Sequence, residues 1–248
     1  MKNLKMTKLT VAGIGPGNTE TMTIACRAAL TEADVIIGYT GYIELLRPIF
    51  PDKDFRPMPM KTETARCRES LALAAEGKQV CLVSGGDPGV YGMASLVLEL
   101  APEYPAVVVE ILPGVTAASS GAALLGAPLG HDFAVISLSD LLTPWELITK
   151  RLRQAAAGDF VICIYNPASH KRRDYLQKAA MILLETLPPE RVCGLAHNIG
   201  REEESIQITT LGTLGEIETD MFTTVFIGNS KTSVINGKIV TPRGYNQA

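Results

Sequence analysis

Several features that would indicate a particular class of protein are scarce or missing in this 248-residue sequence. It has one Trp and three His, and its 23 basic residues are outnumbered by 26 acidic ones, which gives a formal net charge of −3. No excess of positive charge is available to hold a nucleic-acid backbone. No apolar run approaches the roughly 18 residues that a membrane-spanning helix needs. These absences predict a protein that binds neither nucleic acid nor membrane.

The five cysteines give no sign of a disulfide framework or a metal centre. None stands in a Cys-x-x-Cys pair, and the apolar stretches around Cys81 and Cys163 are typical of buried thiols. The histidines are scattered, without the clustered carboxylates of a metal site. The sequence therefore predicts reduced cysteines, no metal and a cytoplasmic location.

Hydrophobic residues make up 46% of the chain, which is enough for a sizeable core. In the first half, short runs rich in Val and Ile alternate with helical patterns. The predicted strands are Lys8–Gly13, Asp34–Gly38, Phe55–Met58, Gln79–Ser84 and Ala106–Leu112. The predicted helices are Thr21–Glu32, Tyr42–Ile49, Thr62–Glu76 and Tyr91–Leu100. This alternation favours an open parallel sheet with helices on both faces.

The second half has a different pattern, in which several strands follow one another. A helix rich in small residues is predicted over Val115–Pro128, followed by helices over Pro144–Ala157 and Lys171–Leu184. Thr143 is expected to cap the second of these, with Pro144 in its first turn. The predicted strands are Phe133–Leu138, Phe160–Tyr165, Arg191–His197, Ser205–Leu211, Met221–Gly228 and the hairpin Ser233–Val240, whose Asn236-Gly237 is typical of a type I′ turn.

This pattern predicts an α/β protein of two domains, 1–117 and 118–248. The first would have an open parallel sheet and the second a mixed sheet with helices. No flexible linker separates them, which indicates a tight junction. We expect a ligand cleft between the two domains.

Four glycine-rich loops follow predicted strands of the first half: Gly13–Gly17, Gly38–Tyr42, Ser84–Gly92 and Leu112–Ala117. The carboxyl ends of parallel strands lie at one edge of a sheet, where ligands of open α/β proteins bind. Glycines permit tight turns and let a ligand approach the backbone. Together the loops predict a small-molecule site that no single one would support. For Asp87, in the third loop, a helix cap is the alternative to a ligand contact.

The first loop does not fit the common nucleotide-binding motifs. A dinucleotide fingerprint needs a third glycine where Asn18 stands, and no Gly-Lys-Ser/Thr follows to make a phosphate loop. A nicotinamide-dependent oxidoreductase is therefore kept only as an alternative.

The segment Tyr165–Asp174 follows a predicted strand and contains adjacent basic residues, among them His170, Lys171 and Arg172. Cations at the start of a helix oppose the helix dipole, so a negative partner is one interpretation. A solvated first helical turn is the other.

The segment Asn198–Glu204 also follows a predicted strand. Its Arg201 has a planar guanidinium that can hold a carboxylate through two hydrogen bonds, and its three adjacent glutamates are expected to be solvated. The two remaining histidines, His131 and His197, are interpreted as structural.

Four motifs of this sequence are Gly13–Gly17, Met22-Thr23, Gly85–Pro88 and Pro113–Ala117. Together they resemble motifs of the tetrapyrrole methylases. The resemblance extends from about Thr10 to Thr241. Members of that family use S-adenosylmethionine, which they convert to S-adenosylhomocysteine. The resemblance implies a methyltransferase that acts on a tetrapyrrole, binds its cofactor between two α/β domains and forms a homodimer.

Further motifs narrow the resemblance to one group within this family. These motifs are Gly38–Tyr42, Tyr165–Ser169, Asn198–Glu202 and Ile208–Leu211. They are similar to family members that methylate C17 of precorrin-3B or cobalt-factor III and couple this step to ring contraction. Methylation of uroporphyrinogen III or precorrin-4 is an alternative, as is a regulator that binds S-adenosylmethionine without turnover. Whether the substrate contains cobalt is left open. No iron–sulfur cluster is expected, since the chain ends at Ala248 without a cysteine-rich extension.

The resemblance also implies roles for individual residues. The expected cofactor-binding residues are Pro16, Gly85, Gly86, Asp87, Val90, Thr116, Ala117, Tyr165 and Asn166. The macrocycle is expected to lie beside the first loop and the segment that contains Tyr39 and Tyr42. The other expected substrate-binding residues are Lys171, Arg172 and Arg201, which do not come from the resemblance but from the need of the substrate carboxylates for cations. Methyl transfer from a sulfonium has a neutral leaving group, so positioning can accelerate it without a metal or a protein nucleophile. A general acid or base for ring contraction would be Asp87 or His170.

Overall fold

Five parallel strands form the sheet of the first of two compact units, which ends at Thr116. The computed structural model describes residues 7–169 and 171–245. The strands are β1 (Thr7–Gly13), β2 (Val35–Tyr39), β3 (Asp54–Met58), β4 (Val80–Ser84) and β5 (Val107–Leu112). Their order is β3-β2-β4-β1-β5, and every neighbouring pair is parallel. The predicted parallel sheet is confirmed.

Four helices cover this sheet, and they are α1 (Ile24–Glu32), α2 (Thr40–Leu46), α3 (Glu63–Ala75) and α4 (Ala94–Leu100). One core lies between the sheet and α1 and α2, and a second lies between the opposite face and α3 and α4. Because both faces are covered, the strands are almost continuously apolar.

Two helices of the first unit begin three residues later than predicted. The Thr23 side chain accepts a hydrogen bond from the Cys26 N–H, so Thr23 caps α1 instead of lying within it. Tyr91 has a φ of 55°, a left-handed conformation that no residue adopts inside an α-helix. Helix α4 therefore starts only at Ala94.

The second unit begins at Ala117. Its helices are α5 (Ala117–Leu125), α6 (Trp145–Ala157), α7 (Tyr175–Leu184) and α8 (Leu211–Leu214). Its strands are β6 (Gly126–Ala127), β7 (Phe133–Ser137), β8 (Val161–Tyr165), β9 (Val192–His197), β10 (Ser205–Thr210), β11 (Thr223–Ile227), β12 (Ser233–Ile235) and β13 (Lys238–Val240).

The main sheet of the second unit has the order β10-β9-β11-β8-β7. Only β7 and β8 are parallel neighbours within it, so the predicted mixed sheet is confirmed. Helices α6, α7 and α8 cover one face, and α5 covers the other. Strands β12 and β13 form the predicted hairpin, and Asn236 and Gly237 have φ values of 49° and 73°, as a type I′ turn requires.

Three predictions for the second unit need correction. Pro144, with an extended ψ of 141°, is itself the cap residue of α6, so Thr143 does not cap this helix. Helix α7 begins at Tyr175 and not at Lys171, because Ser169 and Arg172 exchange two backbone hydrogen bonds that close a separate turn. The short elements β6 and α8 were not predicted.

Candidate functional site

Three of the predicted glycine loops meet through their backbones at the carboxyl edge of the first sheet. Gly15 donates to the Gly86 carbonyl at 3.2 Å, and Gly86 donates to the Gly15 carbonyl at 2.8 Å. A Cβ atom on Gly114 would lie 2.1 Å from the Gly86 oxygen, which no real side chain could tolerate. Glycine is thus required here because the loops contact one another so closely.

Asp87 joins two of these loops. Its Oδ1 accepts the N–H of Gly89 at 2.8 Å, and its Oδ2 accepts the N–H of Gly114 at 3.0 Å. The interpretation of Asp87 as a cap of the next helix is wrong, since Met93 occupies the cap position of α4. With one backbone hydrogen bond on each oxygen, the Asp87 carboxylate fixes the backbone geometry of this edge.

The remaining predicted loop, Gly38–Tyr42, lies against Ser84–Gly92. Strand β2 runs to Tyr39 and α2 starts at Thr40, so the expected loop is an abrupt strand-to-helix junction. A Cβ atom on Gly85 would lie 2.6 Å from the Tyr42 ring, and the rings of Tyr39 and Tyr42 meet nearly at right angles with centroids 5.4 Å apart. The structure thus brings Tyr39 and Tyr42 together with the glycine loops.

The other cofactor candidates of the first unit lie on the same loops. Pro16 is half-buried directly after Gly15, and the N–H of Val90 donates to the Asp87 carbonyl at 3.2 Å. Thr116 is the half-buried last residue of this unit.

In the second unit, Tyr165 and Asn166 lie at the carboxyl end of β8. The Tyr165 hydroxyl accepts the N–H of Ala118 in the first turn of α5 at 2.6 Å, next to the candidate Ala117. Asn166 has a φ of 52°, and its side-chain amide donates to the Ser137 hydroxyl at 2.9 Å. These bonds tie β8 to α5 on one side and to β7 on the other.

Arg172 has the negative partner that one interpretation of its segment required. Its Nη1 donates to Asp140 at 3.1 Å and to Ser139 at 2.8 Å, and its Nε donates to Ser169 at 3.1 Å. The Tyr175 hydroxyl donates to Asp140 at 2.6 Å. This hydrogen bond, together with the Arg172 charge, holds the pKa of Asp140 below its usual value.

We call the Arg172, Asp140 and Tyr175 group the β7–β8 clamp, since it joins the loops that follow these two strands. Lys171, beside it, is exposed, and the predicted acid–base residue His170 lies outside the described residues. The Arg201 guanidinium lies over the Phe222 ring, 5.1 Å from its centroid.

The sequence interpretation missed one pair of polar groups. His197, interpreted as structural, is 36% exposed at the end of β9, and its Nε2 lies 3.3 Å from the Asp220 carboxylate. No sequence pattern indicated the pair, because the two residues are 23 positions apart.

The predicted burial of the Cys81 and Cys163 thiols is confirmed. All five are free and buried. Burial raises the pKa of Cys67 to about 11 and the pKa values of Cys26, Cys163 and Cys193 to about 12. In the part of the chain that the structure describes, no group of three or more His, Cys, Asp or Glu residues could hold a metal ion, and no helix has the length and hydropathy to cross a membrane.

Comparison with known proteins decides the family. Residues 8–215 match the family of Tetrapyrrole (Corrin/Porphyrin) Methylases. The chain belongs to this family. The solved structure of the methyltransferase CobJ superposes on this tetrapyrrole methylase with a TM-score of 0.90 at 40% identity, covering 95% of this chain and 100% of that one. The predicted resemblance and fold are thus confirmed.

Two curated relatives of this tetrapyrrole methylase are equally similar but differ in length. The probable cobalt-factor III C(17)-methyltransferase of Salmonella typhimurium is 44% identical over 96% of this chain and 99% of its own. The cobalamin biosynthesis protein CbiHC of Archaeoglobus fulgidus is 44% identical over 96% of this chain, which spans only 53% of that relative. Tetrapyrrole methylases use S-adenosylmethionine, so the chain is a methyltransferase of that kind.

Proposed function

We propose that this methyltransferase methylates C17 of a corrinoid precursor, precorrin-3B or cobalt-factor III, with associated ring contraction. The observation that carries the proposal is the 44% identity to the Salmonella typhimurium protein, which extends over nearly all of both chains. The similarity to a cobalamin biosynthesis protein of Archaeoglobus fulgidus supports the same assignment. A homodimer and a cytoplasmic location remain predictions.

The carboxyl edge of the first sheet fits S-adenosylmethionine chemically. This donor carries cationic sulfonium and ammonium groups, and Asp87 provides a half-buried carboxylate there. The surrounding glycines have no side chains that would cover the backbone groups. The residues proposed to hold the cofactor are Pro16, Gly85, Gly86, Asp87, Val90 and Thr116 of the first unit and Ala117, Tyr165 and Asn166 of the second.

Bound S-adenosylmethionine supplies an electrophilic methyl group with a good leaving group. The residues of the chain therefore have to bind and orient the two reactants and to exclude water, and they need not supply a nucleophile. Orientation alone can lower the activation barrier by up to about 7–11 kcal/mol. The fixed backbone of the glycine loops is suited to this task, since Asp87 and the Gly15–Gly86 bonds restrict its movement. We assign Asp87 to positioning and not to proton transfer.

On the substrate side, Tyr39 and Tyr42 offer aromatic faces, and Lys171 and Arg201 offer charges for the carboxylates of a tetrapyrrole. The proposal for Arg172 changes, because its guanidinium is already held by Asp140 and two hydroxyl groups. We assign it to positioning the loop after β8.

A substrate panel tests the proposed function. The purified protein is incubated with S-adenosylmethionine and, separately, with cobalt-factor III, precorrin-3B, precorrin-4 or uroporphyrinogen III. Mass spectrometry should show a product heavier by one methyl group, together with S-adenosylhomocysteine, for either cobalt-factor III or precorrin-3B and for no other substrate of the panel. Turnover of precorrin-4 or uroporphyrinogen III alone would contradict the substrate assignment. Tight S-adenosylmethionine binding without any turnover would favour a regulator instead.

A further inference from the structure

His197 and Asp220 form an oriented pair at the edge of the second sheet. Both oxygens of Asp220 are engaged: Oδ1 accepts the Thr223 hydroxyl and the Phe222 N–H, each at 2.9 Å, and Oδ2 faces His197 Nε2 at 3.3 Å. A carboxylate only accepts, so the proton of the neutral imidazole is on Nε2 and the lone pair is on Nδ1. Among the described residues, Asp220 is the one hydrogen-bond partner of this ring.

A cavity of about 280 Å³ is lined by His197 and by Thr223, whose hydroxyl binds Asp220. Leu195 and Ile217 contribute apolar surface, while Ser205, Gln207, Glu218 and Thr219 contribute polar groups. Pockets for whole small molecules usually have about 300–1,000 Å³, so this one is too small for a tetrapyrrole macrocycle. It is large enough for one of the side arms that such a macrocycle carries.

The strand register places this pair near a proposed cofactor residue of the same unit. Val225 of β11 is opposite Ile164 of β8, and Thr223 of β11 is opposite His197 of β9. Val225 is also opposite Leu195 of β9, and adjacent strands are about 4.8 Å apart, so the Ile164 and Leu195 backbones are about 10 Å apart. Asn166 and His197 each follow two residues later in the chain, so the ends of β8 and β9 lie at the same edge of this sheet.

We propose that His197 is an acid–base residue of this methyltransferase. Its Nδ1 accepts a proton from a hydroxyl group of the tetrapyrrole, the electron pair of the O–H bond stays on that oxygen, and Asp220 stabilises the imidazolium that forms. The proton later returns to the substrate or passes to water. A histidine oriented by a carboxylate is the arrangement that such a role requires. The inference rests on the proposed function, and it supplies the proton-transfer group that the engaged Asp87 does not.

The test compares His197→Ala with His131→Ala, in full-length protein. His131 lies in the same unit and also faces a carboxylate, Asp132 at 3.6 Å, but on an exposed loop, so it is a matched control. Calorimetry measures S-adenosylmethionine binding. Single-turnover assays measure methyl transfer and ring contraction with and without added imidazole, and they use whichever of cobalt-factor III and precorrin-3B the substrate panel identifies. Nitrogen-15 spectra of the histidine rings measure the tautomer of His197.

For His197→Ala we expect cofactor affinity within twofold of wild type, turnover reduced at least 100-fold, and at least tenfold recovery with imidazole. His131→Ala should match the wild type. Three results would each overturn the inference. One is turnover of His197→Ala within threefold of wild type, and another is a loss of turnover that imidazole does not restore. The third is a neutral His197 ring that carries its proton on Nδ1. Wild-type protein without turnover on the whole panel would instead refute the proposed function, and the tautomer measurement would still decide whether the pair is oriented as described.

Discussion

The Asp87 carboxylate joins two loops through hydrogen bonds to Gly89 and to Gly114, which is 27 residues away in the chain. A hydrogen bond to a charged group contributes about 1.5–3 kcal/mol. A substitution that weakens one of these bonds should therefore affect the position of the loops before it affects the fold.

We expect Asp87→Asn to weaken S-adenosylmethionine binding by about 10-fold or more, because one acceptor oxygen becomes an NH₂ group that faces an N–H donor. Isothermal titration calorimetry measures the affinity. Asp34→Asn is the control, since Asp34 accepts the Gln79 N–H at 2.8 Å at the amino edge of the same sheet. It should lower the melting temperature without changing affinity. Equal affinities for the two variants would contradict the role given to Asp87.

At the scale of single residues, the sequence predicted types of contact better than partners. The loops around Gly85 and Asp87 were recognisable from their composition, because glycines concentrated after a buried strand indicate a close approach of backbone or ligand. The partner of Asp87 was not recognisable, since a hydrogen bond to a residue in a distant loop has no sequence period. The Asp140 partner of Arg172, 32 positions away, was missed for the same reason.

Among the elements, the strand ends of the second unit depend on the β7–β8 clamp. Arg172 and Tyr175 both bind Asp140, and the Arg172 guanidinium is largely buried, with 16% of the side chain exposed. Loss of the carboxylate would leave this cation without its charged partner, and a largely buried charge is costly when unpaired.

We therefore expect Asp140→Ala to lower the free energy of unfolding by about 1–3 kcal/mol, measured by urea titration at pH 7. Asp174→Ala is the control: its pair with Lys178 is exposed, and exposed ion pairs contribute little, so its effect on stability should be much smaller. Because the pKa of Asp140 is lowered in the folded state, its contribution is present above the ordinary aspartate pKa and is lost as the pH falls through the lowered value. A difference between wild type and Asp140→Ala that did not shrink as the pH fell below the ordinary aspartate pKa would contradict this account.

Element types were predictable and element starts were not. Continuous apolar runs such as Val80-Cys81-Leu82-Val83 indicate strands buried on both faces, whichever strands lie next to them. Helix starts depend on single conformations, such as the left-handed φ of Tyr91 or the extended ψ of Pro144, which tertiary contacts select. The mixed parallel and antiparallel character of the second sheet was predictable, because several strands follow one another in the sequence. Which strands pair with which could not be predicted from the sequence.

For the molecule as a whole, the five buried thiols divide between the two units, with Cys26, Cys67 and Cys81 in the first and Cys163 and Cys193 in the second. Burial raises the pKa of all five thiols and keeps them protonated in the folded state, and the thiolate is the reactive form. Each cysteine therefore reports the opening of its own unit.

We expect no thiol to react quickly with an aromatic disulfide reagent at pH 8 in the native protein, and all five to react after unfolding in guanidinium. The second measurement is brief maleimide labelling across a urea series, read by peptide mass spectrometry. Cys26, Cys67 and Cys81 should become reactive at the same urea concentration, and Cys163 and Cys193 should also become reactive together. The reason is that each set is buried in the cores of one unit. Stability should also decrease above pH 9, since unfolded thiols ionise there while the folded ones resist. A single cysteine that labels well before the others of its unit would show that the unit does not open as a whole.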